Sequence, residues 1–177
     1  ARMRFPPGTE LDVPTLRLEE LAAGKFAALL QRSVIRDAFD AASLLELAPD
    51  LLQRQGFRTA FVCSMAAART DVRELAPTGD RFAGLVVERD LSPLLRRGRG
   101  GEERTAEALA DWVRAGVEPV LKPLLSWTPA ERRFLDALLD RGEIDAAALH
   151  DDPAVQDRIR RQPMLNWKAR NVQEHRR

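Results

Sequence analysis

The chain has 177 residues, 45% hydrophobic and 31% charged, with a formal net charge of +1. This length and composition suit one medium globular domain, or a domain with a helical extension, and exclude a disordered or fibrous protein. Apolar stretches such as 22–30 are broken by charge and fall short of a bilayer span, while one cysteine and two histidines exclude a disulfide framework and a Cys/His zinc site.

Along the chain, the first seventeen or so residues read as extended. Pro6, Pro7, Pro14 and Gly8 exclude a helix there. Met3-Arg4-Phe5 and Val13-Pro14-Thr15-Leu16 are each a candidate short edge strand. Residues 1–7 lack the long apolar core of a signal peptide, and an initial alanine suggests that the chain does not begin where its gene does. Two helices follow: 18–31 and 35–48 repeat apolar residues at three- and four-residue spacing. Segment 57–68 gives mixed signals with a helical tendency at 64–68, and Cys63 reads as a small core residue. A turn is expected around Pro77-Thr78-Gly79-Asp80. The glycine-rich loop 97–101 separates two helical blocks, giving expected domains at 1–96 and 102–177. Helix 105–117 comes next. Thr128-Pro129-Ala130-Glu131 carries a cap, a first-position proline and a capping-box acid, so a helix starts there and stops before Gly142. A last pair covers 153–161 and 164–173. Arg96, Arg97 and Arg99, and the basic C-terminal end at Arg160, Arg161, Lys168, Arg170, Arg176 and Arg177, are either solvated surface or phosphate contacts.

Two charges stand in the wrong places. At about 100° per residue, Leu18, Leu21, Ala22, Phe26, Ala28 and Leu29 share one face, with Lys25 at its centre. An ammonium there must reach water or an anion. Lys25 either reaches towards a phosphate, or snorkels, or pairs with a structural carboxylate. In the next helix Asp37 sits within the apolar arc of Val34, Ala38, Ala41, Leu44, Leu45 and Ala48, with Asp40 at its edge. Asp37 is either a first-turn acid favoured by the helix dipole or a partner for Lys25. Arg32 and Arg36 flank the turn and place positive charge beside the expected Lys25–Asp37 pair, which suits a polyphosphate.

The run 18–32 followed by Ile35-Arg36-Asp37-Ala38-Phe39-Asp40 resembles the AbiEii/AbiGii toxin family of nucleotidyltransferases. There a helix with an Ala-Glu-Lys-x-x-Ala-Leu core leads into Arg-Asp-x-x-Asp. The family lysine falls on Lys25 and the acidic motif on Asp37 and Asp40. Gly24 stands where the family usually has glutamate. Residues 134–144 resemble the family's late helix with its glycine stop, and 163–172 its closing Trp-Lys segment. Trp167 is expected to anchor in the core.

The resemblance implies a mainly α fold: the helical C-terminal part of a nucleotidyltransferase-like α+β domain, with one or two short strands near the N-terminus. It implies Mg2+-dependent transfer of a nucleotide from a nucleoside triphosphate to an RNA acceptor such as tRNA, and a cognate antitoxin partner. Lys25 and Asp37 would be the catalytic residues, with Lys25, Arg32, Arg36 and Asp40 at the nucleotide. Family members place a Gly-Ser turn and a metal-binding Asp-x-Asp ahead of the lysine helix, because closely spaced metal ions neutralise charge on the phosphate oxygens. This sequence contains neither motif, so no metal ligand is expected in it, and catalysis by the chain alone is not expected. The alternative is a non-catalytic helical module binding RNA or a protein partner. A cytoplasmic location and no membrane association are the default expectations.

Overall fold

A computed structural model of the protein describes residues 2–4, 10–12, 15–32, 34–75, 91 and 105–175. Two three-residue strands, β1 (Arg2–Arg4) and β2 (Glu10–Asp12), pair antiparallel with Arg2 opposite Asp12 and Arg4 opposite Glu10. Of the strand expected at Val13–Leu16, Thr15 and Leu16 are not in a strand, and Val13 and Pro14 lie outside the described residues.

Seven α-helices follow among the described residues: α1 (Leu18–Arg32), α2 (Ile35–Leu47), α3 (Gln55–Ala66), α4 (Ala106–Leu125), α5 (Pro129–Arg141), α6 (Pro153–Arg160) and α7 (Pro163–His175). The fold is mainly α, as expected. The expected turn at 77–80, the arginines at 96, 97 and 99, the dividing loop and Arg176–Arg177 lie outside the described residues.

Helices α1 and α2 form an antiparallel hairpin. α1 also packs on α3, α2 on α4, and α5 on α7. The centre of the core is aromatic and aliphatic: Phe26, Phe57, Phe61, Phe134, Leu29, Leu30, Leu135 and Leu138 are all fully buried. Phe26 meets Phe57 edge-on at 5.8 Å, and Phe57 stacks on Phe61 at 5.9 Å. α3 buries Phe57, Phe61, Val62, Cys63, Met65 and Ala66. A helix covered on most sides shows no clean polar stripe, which is why its sequence gave mixed signals.

α4 extends through Pro119 and Pro123 to Leu125, well beyond the expected end at Val117. Both prolines are exposed, so the carbonyls they leave unbonded face water. The inward positions Leu109, Val113, Val117, Leu121 and Leu124 stay buried throughout. Gly116 lets this helix approach α2: an added Cβ there would lie 3.2 Å from the Ala42 Cβ.

The start of α5 matches the expected capping box: Glu131 N donates to Thr128 Oγ1 at 3.2 Å, and Thr128 N donates to Glu131 Oε2 at 2.8 Å. Gly142 closes it with φ 68°, a left-handed conformation that glycine adopts without strain. In α7 the inward residues are Leu165 and Ala169, and Trp167 is 42% exposed. The expected core anchor is therefore a surface ring. Among the described residues, no helix is long and apolar enough to cross a membrane.

Candidate functional site

The α1–α2 hairpin carries a two-rung ladder of charge. On α1, Lys25 and Arg32 are seven residues apart, two turns or about 10 Å along one side of the helix. On α2, Asp40 and Asp37 are one turn apart and run in the opposite direction. Lys25 Nζ donates to Asp40 Oδ2 at 2.6 Å, with side chains 41% and 38% exposed. Arg32 grips Asp37 with both forks: Nε donates to Oδ2 at 3.1 Å and Nη2 to Oδ1 at 2.9 Å. The Asp37 side chain is only 9% exposed, whereas that of Arg32 is 62% exposed.

The pairing differs from the expected Lys25–Asp37 contact. Lys25 is also not central to the buried face of α1. Ala22, Ala23, Phe26, Ala27, Leu29 and Leu30 are buried, and at about 100° per residue that stripe centres roughly a third of a turn from Lys25. The cause is that α1 packs on α2 and α3 together, which draws Ala23, Ala27 and Leu30 inward and leaves Leu21 43% exposed. Lys25 lies at the rim, where its ammonium reaches both water and Asp40. Asp37 does lie within the buried arc of α2, as its spacing implied, and Arg32 satisfies both its oxygens.

Arg36 is exposed and precedes Asp40 by four residues, so it projects from the same side of α2. Gly24 is exposed, and a Cβ added there meets nothing within 4 Å. A side chain can therefore start at this position without a clash at its Cβ.

A half-exposed ion pair such as Lys25–Asp40 is worth about 0–1 kcal/mol, so a polyphosphate can take the ammonium from Asp40 at little cost. Arg32 uses Nε and Nη2 on Asp37, and its two Nη1 hydrogens remain to donate. The edge can thus present an ammonium and an oriented guanidinium to phosphate oxygens. It is poorly suited to a metal. Asp37 is saturated by Arg32, and among the described residues no group of three or more His, Cys, Asp or Glu could hold an ion. Among the described residues, the donors on this edge suit phosphate oxygens better than a cation.

Three further charged clusters were not legible as sites in the sequence. Arg58 of α3 donates from Nε and Nη2 to both oxygens of buried Glu131, at 2.6 and 2.8 Å, and to the carbonyls of Leu124 and Ser126 at 2.8 and 2.9 Å. Its guanidinium lies 5.3 Å from the Trp127 ring centre. This pair locks α3 to the α4–α5 junction. Arg73 binds Asp71, Asp136 and Asp140 at 2.6–2.8 Å. Its pKa is raised, first by Asp71 and then by Asp140, and both carboxyls are held below their ordinary range by its hydrogen bonds. The spacing of Asp136 and Asp140, one helical turn apart, was the available signal. Finally, a cleft of about 630 Å3 at the starts of α1 and α3 is lined by Arg17, Arg54 and Arg158. Arg54 there is already bound by Glu19 and Asp50, each at 3.1 Å. Glu20 and Asp152 in the same lining offset the other two arginines.

Compared with known protein families, residues 2–141 match the family described as "Nucleotidyl transferase AbiEii toxin, Type IV TA system". The match takes in the whole hairpin and ends with α5. No curated protein and no solved structure matches the chain.

Proposed function

This chain belongs to the AbiEii nucleotidyl transferase toxin family, and from that premise we propose that the rim of its α1–α2 hairpin grips the triphosphate of a nucleotide. Lys25 and the free fork of Arg32 meet the phosphates, with Arg36 beside them. Asp40 holds Lys25 in place, and Asp37 fixes Arg32. One observation carries this reading: two cations stand on one side of α1, each oriented by its own aspartate from α2 at 2.6–3.1 Å, and each with donors left to give.

The reaction we assign is transfer of a nucleotide from a nucleoside triphosphate to an RNA acceptor such as tRNA, in the cytoplasm, restrained by a cognate antitoxin. Magnesium supplies charge neutralisation at the phosphates in reactions of this kind. The described residues do not provide its ligands, so only the cationic edge is assigned here. A second reading, a helical module that binds RNA or a protein without catalysis, is favoured by the exposed Trp167 on α7.

The test is transfer itself. The chain is incubated with Mg2+, labelled nucleoside triphosphates and bulk tRNA, beside Lys25→Ala. Label on RNA that disappears in the variant supports the assignment. Label retained by the variant removes Lys25 from the mechanism. No label with either protein sinks the transfer reading for this chain and favours the second.

A further inference from the structure

Away from the hairpin, α7, α5 and the chain following α3 enclose a cleft of about 530 Å3, within the size range of small-molecule sites. Trp167, Lys168, Asn171, Val172 and His175 line it, spanning about 12 Å of α7. Its chemistry is uneven in an informative way. Trp167 turns a large aromatic surface to solvent, 42% exposed. Beside it, Lys168 is half-buried, and its ammonium donates to the Ala68 carbonyl at 2.7 Å. Burial lowers the Lys168 pKa, and the nearby Asp71 carboxylate partly opposes this. Asp71 is itself held by Arg73 at 2.6 Å and forms no ion pair with Lys168 among the described residues. Arg69, exposed, adds a second cation to the lining. The one acid, Asp140, is neutralised: Arg73 donates to both its oxygens at 2.8 Å.

We propose that this cleft binds single-stranded nucleic acid, stacking one base on the Trp167 indole and meeting the adjoining phosphate with Lys168 and Arg69. An under-partnered ammonium beside an open aromatic ring matches a base with its phosphate, since every base has a π-face and every link a charge. A docked protein helix would need apolar anchors over several turns. Here the apolar lining is limited to Leu139, Val172 and Trp167. The length of the cleft along α7 favours a strand over a lone nucleotide. The proposal does not depend on transfer chemistry or on the Lys25 edge.

The test is fluorescence anisotropy of a dye-labelled ten-nucleotide oligo(rA) titrated with the full chain. Trp167→Ala is expected to weaken binding roughly five- to hundred-fold, the loss of one stacked base, and Trp167→Phe to retain most of it. Arg69→Ala should lower the slope of log K against log salt by about 0.7, one phosphate contact on a single strand. An abasic strand should bind wild type and Trp167→Ala alike, and Lys25→Ala should bind oligo(rA) as wild type does. Trp167 is more than half covered, so circular dichroism at the assay temperature should show each variant folded, and retained binding by Trp167→Phe separates lost stacking from lost fold. Equal affinity of Trp167→Ala and wild type for oligo(rA) overturns the proposal. So does AMP competing as well as the strand, or sedimentation showing that Trp167→Ala dissolves a dimer, which would make this face a self-contact.

Discussion

Replacing Glu131 with alanine should cost about 3 kcal/mol of stability. Glu131 is buried, closes the capping box of α5 through Thr128 N, and accepts both forks of Arg58 from a helix 73 residues earlier. Losing an N-terminal cap costs about 1 kcal/mol. Removing one partner of a buried pair costs about 3–5 kcal/mol, because the other charge is stranded. Arg58 keeps the carbonyls of Leu124 and Ser126 and the face of Trp127, which places the total near the bottom of that range. At about 2–4 °C per kcal/mol for a chain of this size, the melting temperature should fall by about 6–12 °C. Glu131→Gln keeps the capping geometry and loses the charge, and should lose about half as much. Urea unfolding at an unchanged slope is the assay. The pH dependence follows. Burial alone would raise the Glu131 pKa, but the hydrogen bonds from Arg58 and Thr128 outweigh it and hold it below its ordinary 4.5. A group depressed in the folded state stabilises fully above its unfolded pKa, and that stability is lost as pH falls through the folded value. Wild type should therefore lose its advantage over Glu131→Gln below pH 4.5. A cost under 1 kcal/mol for Glu131→Ala would refute this reasoning and class the pair with ordinary surface ion pairs.

Other consequences are as direct. Gly24→Ala should stabilise the chain by about 1 kcal/mol, since the site is helical, exposed and empty within 4 Å; urea midpoints would show it, and a loss would contradict the open geometry. Gly142→Ala should cost at least about 2 kcal/mol in the same assay, from left-handed strain and from a Cβ only 2.5 Å from the Ala169 carbonyl oxygen. Burial pushes the Cys63 thiol up to about 12, so a thiol reagent at neutral pH should label it only as the protein unfolds.

How far the sequence revealed the fold depended on whether one helix face stayed polar. α1, α2 and α5 each keep a solvent side, and their bounds were readable to within a residue or two from period, caps and the Gly142 stop. α3 is wrapped by its neighbours and lost that contrast. α4 runs past its expected end at Val117 through two exposed prolines, and a linear pattern does not show that the carbonyls they leave unbonded face water. Trp167 suggested a core anchor by its size, yet Leu165 and Ala169 take the inward positions at one-turn spacing. At the candidate site, Lys25 and Asp37 stood out because they interrupt apolar faces, and Asp40 and Arg32 because they lie beside them. Their pairing did not, since Asp40 and Asp37 lie one turn apart and either could meet Lys25 until the hairpin register is fixed. Arg58–Glu131 was out of reach: the two residues are 73 positions apart, and only packing brings them together.

The account rests most heavily on the cationic edge of α1, and calorimetric titration with each of the four nucleoside triphosphates tests it most directly. EDTA in the buffer leaves only the chain's own cations to hold the phosphates. Charge-assisted hydrogen bonds are worth about 1.5–3 kcal/mol, so at least one triphosphate should bind, and Lys25→Ala and Arg32→Ala should each weaken it about tenfold or more. Binding that is unchanged in Lys25→Ala, or absent in the wild-type chain, would contradict it.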